Sequence, residues 1–332
     1  MAEKKPRWRW GVNRWIVLAA IIGAIVAMRY FPPVMPHIQL PPEAISPAIN
    51  LPGIGPFYLS NSMLGILIVD VIVILIAWSV KRFADSGKLV PGGVSGIVEV
   101  VIEALYNMTE STAGKWTATI FPYFVTITFV VLFANWLELI PGVDTIGYLH
   151  AAEQGVTGMV TQQATPWLGL ITAQQAGAGA GKLLTSFVRT PSTDLNFTIA
   201  LALISVGMTQ VIGVRAHGID FFSKYFNVKT MFSKPFFGFL DWFVSILEAI
   251  SEFSKLLSFS FRLFGNIFAG TVVVFVITML IPAFVPTIFL MLELFIGLIQ
   301  ALVFGMLTMI FMAQAAQGGE APQGAEAAPA GA

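Results

Sequence analysis

Ser258-Phe-Ser-Phe-Arg-Leu-Phe-Gly-Asn-Ile-Phe-Ala-Gly270 sets an arginine, Arg262, inside an apolar helical run. Aromatic and aliphatic residues crowd it on both sides, and apolar sequence continues as far as Ile281. Placing an arginine at the centre of a membrane helix costs about 3 kcal/mol on insertion scales. A lysine can shed its proton in such a place; an arginine, with a pKa above about 12, does not. Arg262 is therefore a permanent charge at membrane depth, and it needs a partner.

The rest of the chain supports a membrane setting. Of its 332 residues, 56% are apolar and only 11% charged, whereas soluble domains carry about 25% charged residues. Cysteine is absent, which excludes disulfides and thiolate metal sites. The three histidines, His37, His150 and His217, lie far apart and suggest no metal site.

Six apolar segments are long enough to cross a bilayer: 15–31, 57–80, 117–140, 193–214, 237–281 and 284–314. Basic residues orient them. Lys4, Lys5, Arg7, Arg9 and Arg14 precede the first segment. Lys81, Arg82, Lys88 and Lys115 follow the second, and Arg215, Lys224, Lys229 and Lys234 follow the fourth. All of these share one side, the cytoplasmic one, if the chain starts inside; the other side receives Arg29, Lys182 and Arg189. The expectation is six crossings with both termini cytoplasmic. The first segment has a rival reading as a signal peptide, although no clean small-x-small site follows it.

The connectors divide the chain into an N-terminal anchor with a linker (1–56), a core (57–316) and a disordered Gly/Ala/Pro/Gln tail (317–332). Eight prolines in 32–56 predict an extended exterior linker. Within 91–113, Val94, Ile97, Val98, Val101, Ile102 and Leu105 recur at helical spacing. They predict an amphipathic helix, lying on the cytoplasmic face or packed as an ordinary loop helix. The stretch 142–191 reads as an extended exterior loop. Its Gly177-Ala-Gly-Ala-Gly-Lys182 run is not a phosphate loop: Ala176 stands at the first glycine position, Leu183 replaces the magnesium-binding hydroxyl, and no strand is expected before it.

The last two apolar segments carry the chemistry. A continuous helix over the fifth would be about 67 Å long against a hydrocarbon core of about 30 Å, so it must tilt or bend. Pro282 and Pro286 separate it from the sixth, and the two form a long helical hairpin. In steps of three and four, Glu248, Glu252, Lys255, Phe259, Arg262 and Asn266 fall on one face, bordered by Ser251 and Ser258 and continued by Gly270 and Thr271. The opposite face is almost wholly apolar, so the stripe must face protein or water. Glu252 and Lys255 could also simply neutralise one another. On the sixth segment Glu293, Gly297, Gln300, Phe304 and Thr308 share a face, and Gly297 leaves room for water or for another helix. The orientation sets Glu248 and Ser251 towards the cytoplasm, Arg262 and Gln300 at mid-depth, and Asn266, Thr271 and Glu293 towards the exterior. Two polar routes with a fixed cation between them suit two half-channels joined by a mobile carrier, since a continuous pore needs no such barrier.

The Arg262 stretch resembles the signature of subunit a of F-type ATP synthases. Four further stretches match in the same order: Asn135-Trp-Leu-Glu-Leu-Ile-Pro-Gly142, Ser192-Thr-Asp-Leu-Asn-Phe-Thr198, Ile246-Leu-Glu-Ala-Ile-Ser251 and Gln300-Ala-Leu-Val-Phe304. The resemblance covers about residues 57–315. It implies an all-α integral membrane protein whose tilted helices wrap a rotating ring of c subunits. It also implies a proton-translocating role, with ATP formed in other subunits. Arg262 would attract the ring carboxylate, force off its proton and block a leak. Asn266, Glu293, Gln300 and Thr271 would line the exterior half-channel, with Asp194 and Asn196 shaping its mouth. Glu248, Ser251, Ser258, Glu252 and Lys255 would belong to the cytoplasmic one. Thr271 departs from the pattern, because other members often carry Glu or His there; Glu293 then supplies the pair's only carboxylate. No cofactor is implied, and the transported ion is H+ or Na+. Expected partners are the c-ring, peripheral-stalk b subunits, the rest of the ATP synthase and the lipid of a bacterial inner membrane, and not nucleic acid. A self-contained transporter would show internal repeats with broken helices. A scaffold subunit of a respiratory complex would not need Arg262.

Overall fold

The computed structural model describes residues 41–46, 49–52, 55–85, 94–140, 143, 146–151, 159–165, 168–175, 182–218, 221, 225, 237–281 and 285–317, together with isolated positions between 14 and 26. The first apolar segment, the loop lysines Lys224, Lys229 and Lys234, and the tail beyond 317 lie wholly or mostly outside the described residues.

Six helices organise the described chain: α1 (Asn61–Asp85), α2 (Val94–Ala113), α3 (Thr117–Trp136), α4 (Leu195–His217), α5 (Phe237–Leu280) and α6 (Val285–Gln317). Among the described residues five stretches are long and apolar enough to cross a membrane, with α2 and α3 forming one of them. Asp194 starts α4 by accepting a hydrogen bond from the Asn196 N–H at 2.9 Å, which satisfies one of the free donors of the first turn. Pro286 falls in the first turn of α6, where a missing N–H costs nothing. The expected fifth segment is one unbroken helix of 44 residues, so tilt rather than a break must reconcile its length with a bilayer.

α3 and α6 form the most extensive helix pair, and α4 packs on both α5 and α6. One core joins Ile127 and Val131 of α3, Leu201 of α4, Phe259 and Leu263 of α5, and Phe304 of α6. A second joins Leu105 of α2, Ile120 and Phe124 of α3, Ile212 of α4, and Met309 and Met312 of α6. Within a bilayer, helix association depends on close packing and hydrogen bonds, because lipid is as apolar as leucine. The contacts follow that rule. Gly305 of α6 lies so close to Thr128 and Phe124 of α3 that a Cβ would strike them. Hydroxyls of Ser205 (α4) and Thr308 (α6) meet at 2.7 Å, and those of Thr198 (α4) and Ser260 (α5) at 3.1 Å. Along α2, Leu105, Thr109 and Ala113 are buried while Ile97 and Val100 stay exposed.

The stretch between α3 and α4 differs from its expected form. It contains four strands, β3 (Gly147–Ala151), β4 (Met159–Thr165), β5 (Leu168–Gln175) and β6 (Lys182–Ser186), in a sheet of order β3-β6-β4-β5. Gly147 pairs with Ser186 and Ala151 with Lys182, antiparallel. A strand, β5, therefore does precede the glycine run, contrary to expectation. It is made by antiparallel pairing with the strand just before it, β4, and the local propensity of this Gln-, Ala- and Gly-rich sequence is weak. The phosphate-loop reading still fails, because β6 follows where a helix is required. The Pro-rich stretch forms a small hairpin of β1 (Ile49–Leu51) and β2 (Gly55–Phe57). It joins the larger sheet through Tyr148, whose hydroxyl donates to the Ala44 carbonyl at 2.9 Å.

Candidate functional site

α5 and α6 run antiparallel, and their polar faces meet in register. Gly270 faces Glu293, Asn266 faces Gln300, and Phe259 stacks near Phe304 at 5.2 Å between ring centroids. A side chain on Gly270 would collide with the Glu293 carboxylate, so the glycine makes the space that this carboxylate occupies. Asn266 Nδ2 donates to Gln300 Oε1 at 3.4 Å. Gln300 is 5% exposed, and its Nε2 is buried with no acceptor among the described residues. A buried amide in that state costs about 1–3 kcal/mol unless something accepts its protons. Thr271 donates its hydroxyl to the Ile267 carbonyl at 3.0 Å, which leaves its oxygen as an acceptor only.

Arg262 is exposed, and its described hydrogen bond is a long one, from Nη2 to Ser258 Oγ at 3.4 Å. Among the described residues no carboxylate forms an ion pair with it. Towards the N-terminal half of α5 it borders a cavity of about 260 Å³. Ser251, Ser254, Lys255 and Ser258 supply polar lining, while Phe259, Leu307 and Phe311 form the apolar wall. Lys255 does pair with Glu252, at 2.8 Å, and also lies 4.7 Å from the centre of the Phe311 ring. The ion pair, one of two readings of these residues, is thus present, with Lys255 on the cavity wall. Glu248 lies one turn before Glu252 and is half-buried.

Asp194 and Asn196 sit apart from the α5/α6 seam, at the start of α4. Asp194 is 5% exposed and accepts from Ser62 Oγ of α1 at 2.6 Å. The short turn before it, Pro191–Thr193, packs against α5. Sequence reasoning missed the latch beside it. Ser192 Oγ donates to Asn135 Oδ1 at 2.6 Å, and Asn135 Nδ2 donates across to the Gly297 carbonyl of α6 at 3.1 Å. Trp136 Nε1 adds a bond to the Leu294 carbonyl, also at 3.1 Å. The space at Gly297 is therefore used by another helix, α3. The available signal was a pair of polar side chains in otherwise apolar surroundings.

These features define a polytopic helical membrane protein with a guanidinium, without an ion pair among the described residues, set between two polar regions. The family profile described as ATP synthase A chain matches residues 63–313. Similar chains include an ATP synthase subunit a 1 from Syntrophotalea carbinolica, 28% identical over 68% of this chain and 74% of that one. Another is an ATP synthase subunit a from Syntrophobacter fumaroxidans, 28% identical over 74% and 81%. A third, from Helicobacter hepaticus, is 28% identical over 74% and 85%. The chain belongs to the ATP synthase A chain family. As such it is a multi-pass, proton-conducting membrane subunit, and the formation of ATP lies in other subunits.

Proposed function

We propose that this chain is the stator half of a rotary proton motor, with two offset half-channels that meet a ring of c subunits at Arg262. The carrying observation is the Arg262 guanidinium, exposed, without an ion pair among the described residues, and bordered by a polar-lined cavity. A guanidinium cannot relieve its charge by losing a proton. It therefore favours a partner that is a carboxylate on another chain, arriving protonated, giving up its proton while it faces the guanidinium, and leaving protonated again.

On this reading, protons reach the ring from the exterior between α5 and α6, past Glu293, Asn266 and Gln300, with Thr271 as an acceptor beside them. Glu293 has room because residue 270 is glycine, and the buried Gln300 Nε2 suits water in transit. Asp194 and Asn196 shape the mouth through the start of α4. On the cytoplasmic side, the cavity along Ser258, Lys255 and Ser251 leads away from Arg262, with Glu252 paired to its Lys255 and Glu248 one turn further along α5. Arg262 keeps the two sides from joining. The ion is H+ on this reading; the neighbourhood of the ring carboxylate would decide between H+ and Na+. Both termini face the cytoplasm, and α1, mostly exposed along its length, is available to peripheral-stalk b subunits and lipid. A proton crossing 100 mV releases about 2.3 kcal/mol, so several per turn can drive a distant catalytic head.

The test is ATP-driven proton pumping in inverted membrane vesicles. Arg262→Ala abolishes pumping and Glu293→Gln slows it. Pumping undiminished in Arg262→Ala would sink the mechanism, and unchanged flux in Glu293→Gln would remove that carboxylate from the path.

A further inference from the structure

The segment after α4 turns back onto that helix. Gly218, at φ 67°, adopts a backbone conformation that strains other residues, and it donates its N–H to the Val214 carbonyl. The Phe221 ring then lies against Gly213 so closely that a Cβ there would strike it. Phe221 is buried, and its ring stands edge-on to that of Tyr225 at 6.4 Å. The Tyr225 hydroxyl donates to Gln210 Oε1 of α4 at 3.1 Å. The same hydroxyl meets the Glu252 carboxylate of α5, and Glu248 adds negative charge nearby. Burial, reinforced by these carboxylates, raises the phenol above its ordinary value of 10.0. Tyr225 thus keeps its proton at neutral pH and has two acceptors for it. Turning the Gln210 amide over presents its NH2 to the phenol oxygen and frees that proton for Glu252.

Glu252 connects this arrangement to the cavity, since its other partner is Lys255, which lines the path to Arg262. We propose that Tyr225 is a positioning residue for proton transfer on the Glu252 side of Arg262. Held by Phe221 and Gln210, it anchors the Glu252 carboxylate and so keeps the Lys255 ammonium paired. Without that anchor Lys255 becomes a second loose cation in the cavity beside Arg262 and opposes proton passage. Among the described residues, the charged groups facing this cluster are Glu248 and Lys255 of α5; α4 contributes the neutral Gln210, and α6 the Phe311 ring under Lys255. The proposal rests on reading the cavity as part of the proton route.

The experiment uses the assembled enzyme in inverted vesicles, with ATP-driven acidification followed as a function of pH. Tyr225→Phe keeps the ring and loses only the hydroxyl. Pumping is expected to fall about threefold, the change in equilibrium that one intramembrane side-chain hydrogen bond carries. Glu252→Gln falls as well, and Tyr225→Phe combined with Glu252→Gln falls no further, because both act through one pair. The pH profile of pumping moves in Tyr225→Phe and does not move again in the double variant. Additive losses, or a Tyr225→Phe profile that overlays the parent, overturn the proposal. If Tyr225→Phe does not assemble, Gln210→Leu removes the other anchor and is held to the same two outcomes. Arg262→Ala run in parallel separates the readings. If Arg262→Ala pumps normally, the route falls and this proposal with it. If Arg262→Ala is inactive while Tyr225→Phe is unchanged, only the role of Tyr225 is lost.

Discussion

At the scale of single residues, the seam between α5 and α6 depends on what is missing at position 270. The Glu293 carboxylate fills the space that a Cβ would take. The colliding atom is the far end of a flexible side chain, so Gly270→Ala forces Glu293 to swing away rather than forcing the helices apart. The expected outcome is a stability change below about 1 kcal/mol together with a severalfold loss of proton pumping. Adding Glu293→Asp, one methylene shorter, restores part of the rate. Vesicle acidification measured beside thermal unfolding in detergent distinguishes this from simple misfolding; pumping at the parent rate in Gly270→Ala would show that the position of Glu293 is not used. Arg262 on α5 and Glu293 on α6 were legible from sequence, because ionisable groups in an apolar run stand out. The fit of Glu293 against a glycine on a different helix was not.

At the scale of elements, α3 holds α6 through one crowded contact and one polar latch. Gly305 of α6 sits against the buried Thr128 and Phe124. Gly305→Val has nowhere to expand and is expected to cost about 1–3 kcal/mol. Asn135→Leu removes the bond to Gly297 and strands the Ser192 hydroxyl. Membrane hydrogen bonds average about 0.6 kcal/mol each, so its cost is expected near 1–2 kcal/mol. Thermal melts of purified protein check both, and Gly305→Val should lower the midpoint at least as far. A pH dependence belongs to Tyr225. Its phenol has a raised pKa in the folded protein, so its contribution to stability is complete below about pH 10 and is lost as pH rises through the higher folded value. In an alkaline absorbance titration, one of the six tyrosines should ionise late, and Tyr225→Phe should remove that late step.

At the scale of the whole molecule, orientation is the property to test, and the chain's lack of cysteine makes the test clean. Ile146, before β3, and His217, at the end of α4, are both exposed. If the basic residues orient the chain as proposed, a membrane-impermeant maleimide labels Ile146→Cys only from the exterior and His217→Cys only from the cytoplasm. Labelling of both from one side would overturn the orientation. The same view explains why so much of α1 and α5 is apolar and exposed. In a bilayer these faces cost nothing in contact with lipid or with another subunit's helices.

Helical periodicity in an apolar chain is a local property, and it carried the long helices, the charged stripe from Glu248 to Asn266, the facing Glu293–Gln300 face and the need for a partner to Arg262. Each of these follows from residues three and four apart on a single helix. Tertiary structure alone decided that Gly297 receives Asn135 rather than water, that Gly270 receives Glu293, that Tyr225 returns to Glu252, and that β3 pairs with β6. These pairings join residues distant in sequence, through close approach and antiparallel register. Such contacts depend on how whole elements pack, and no window of sequence contains both partners.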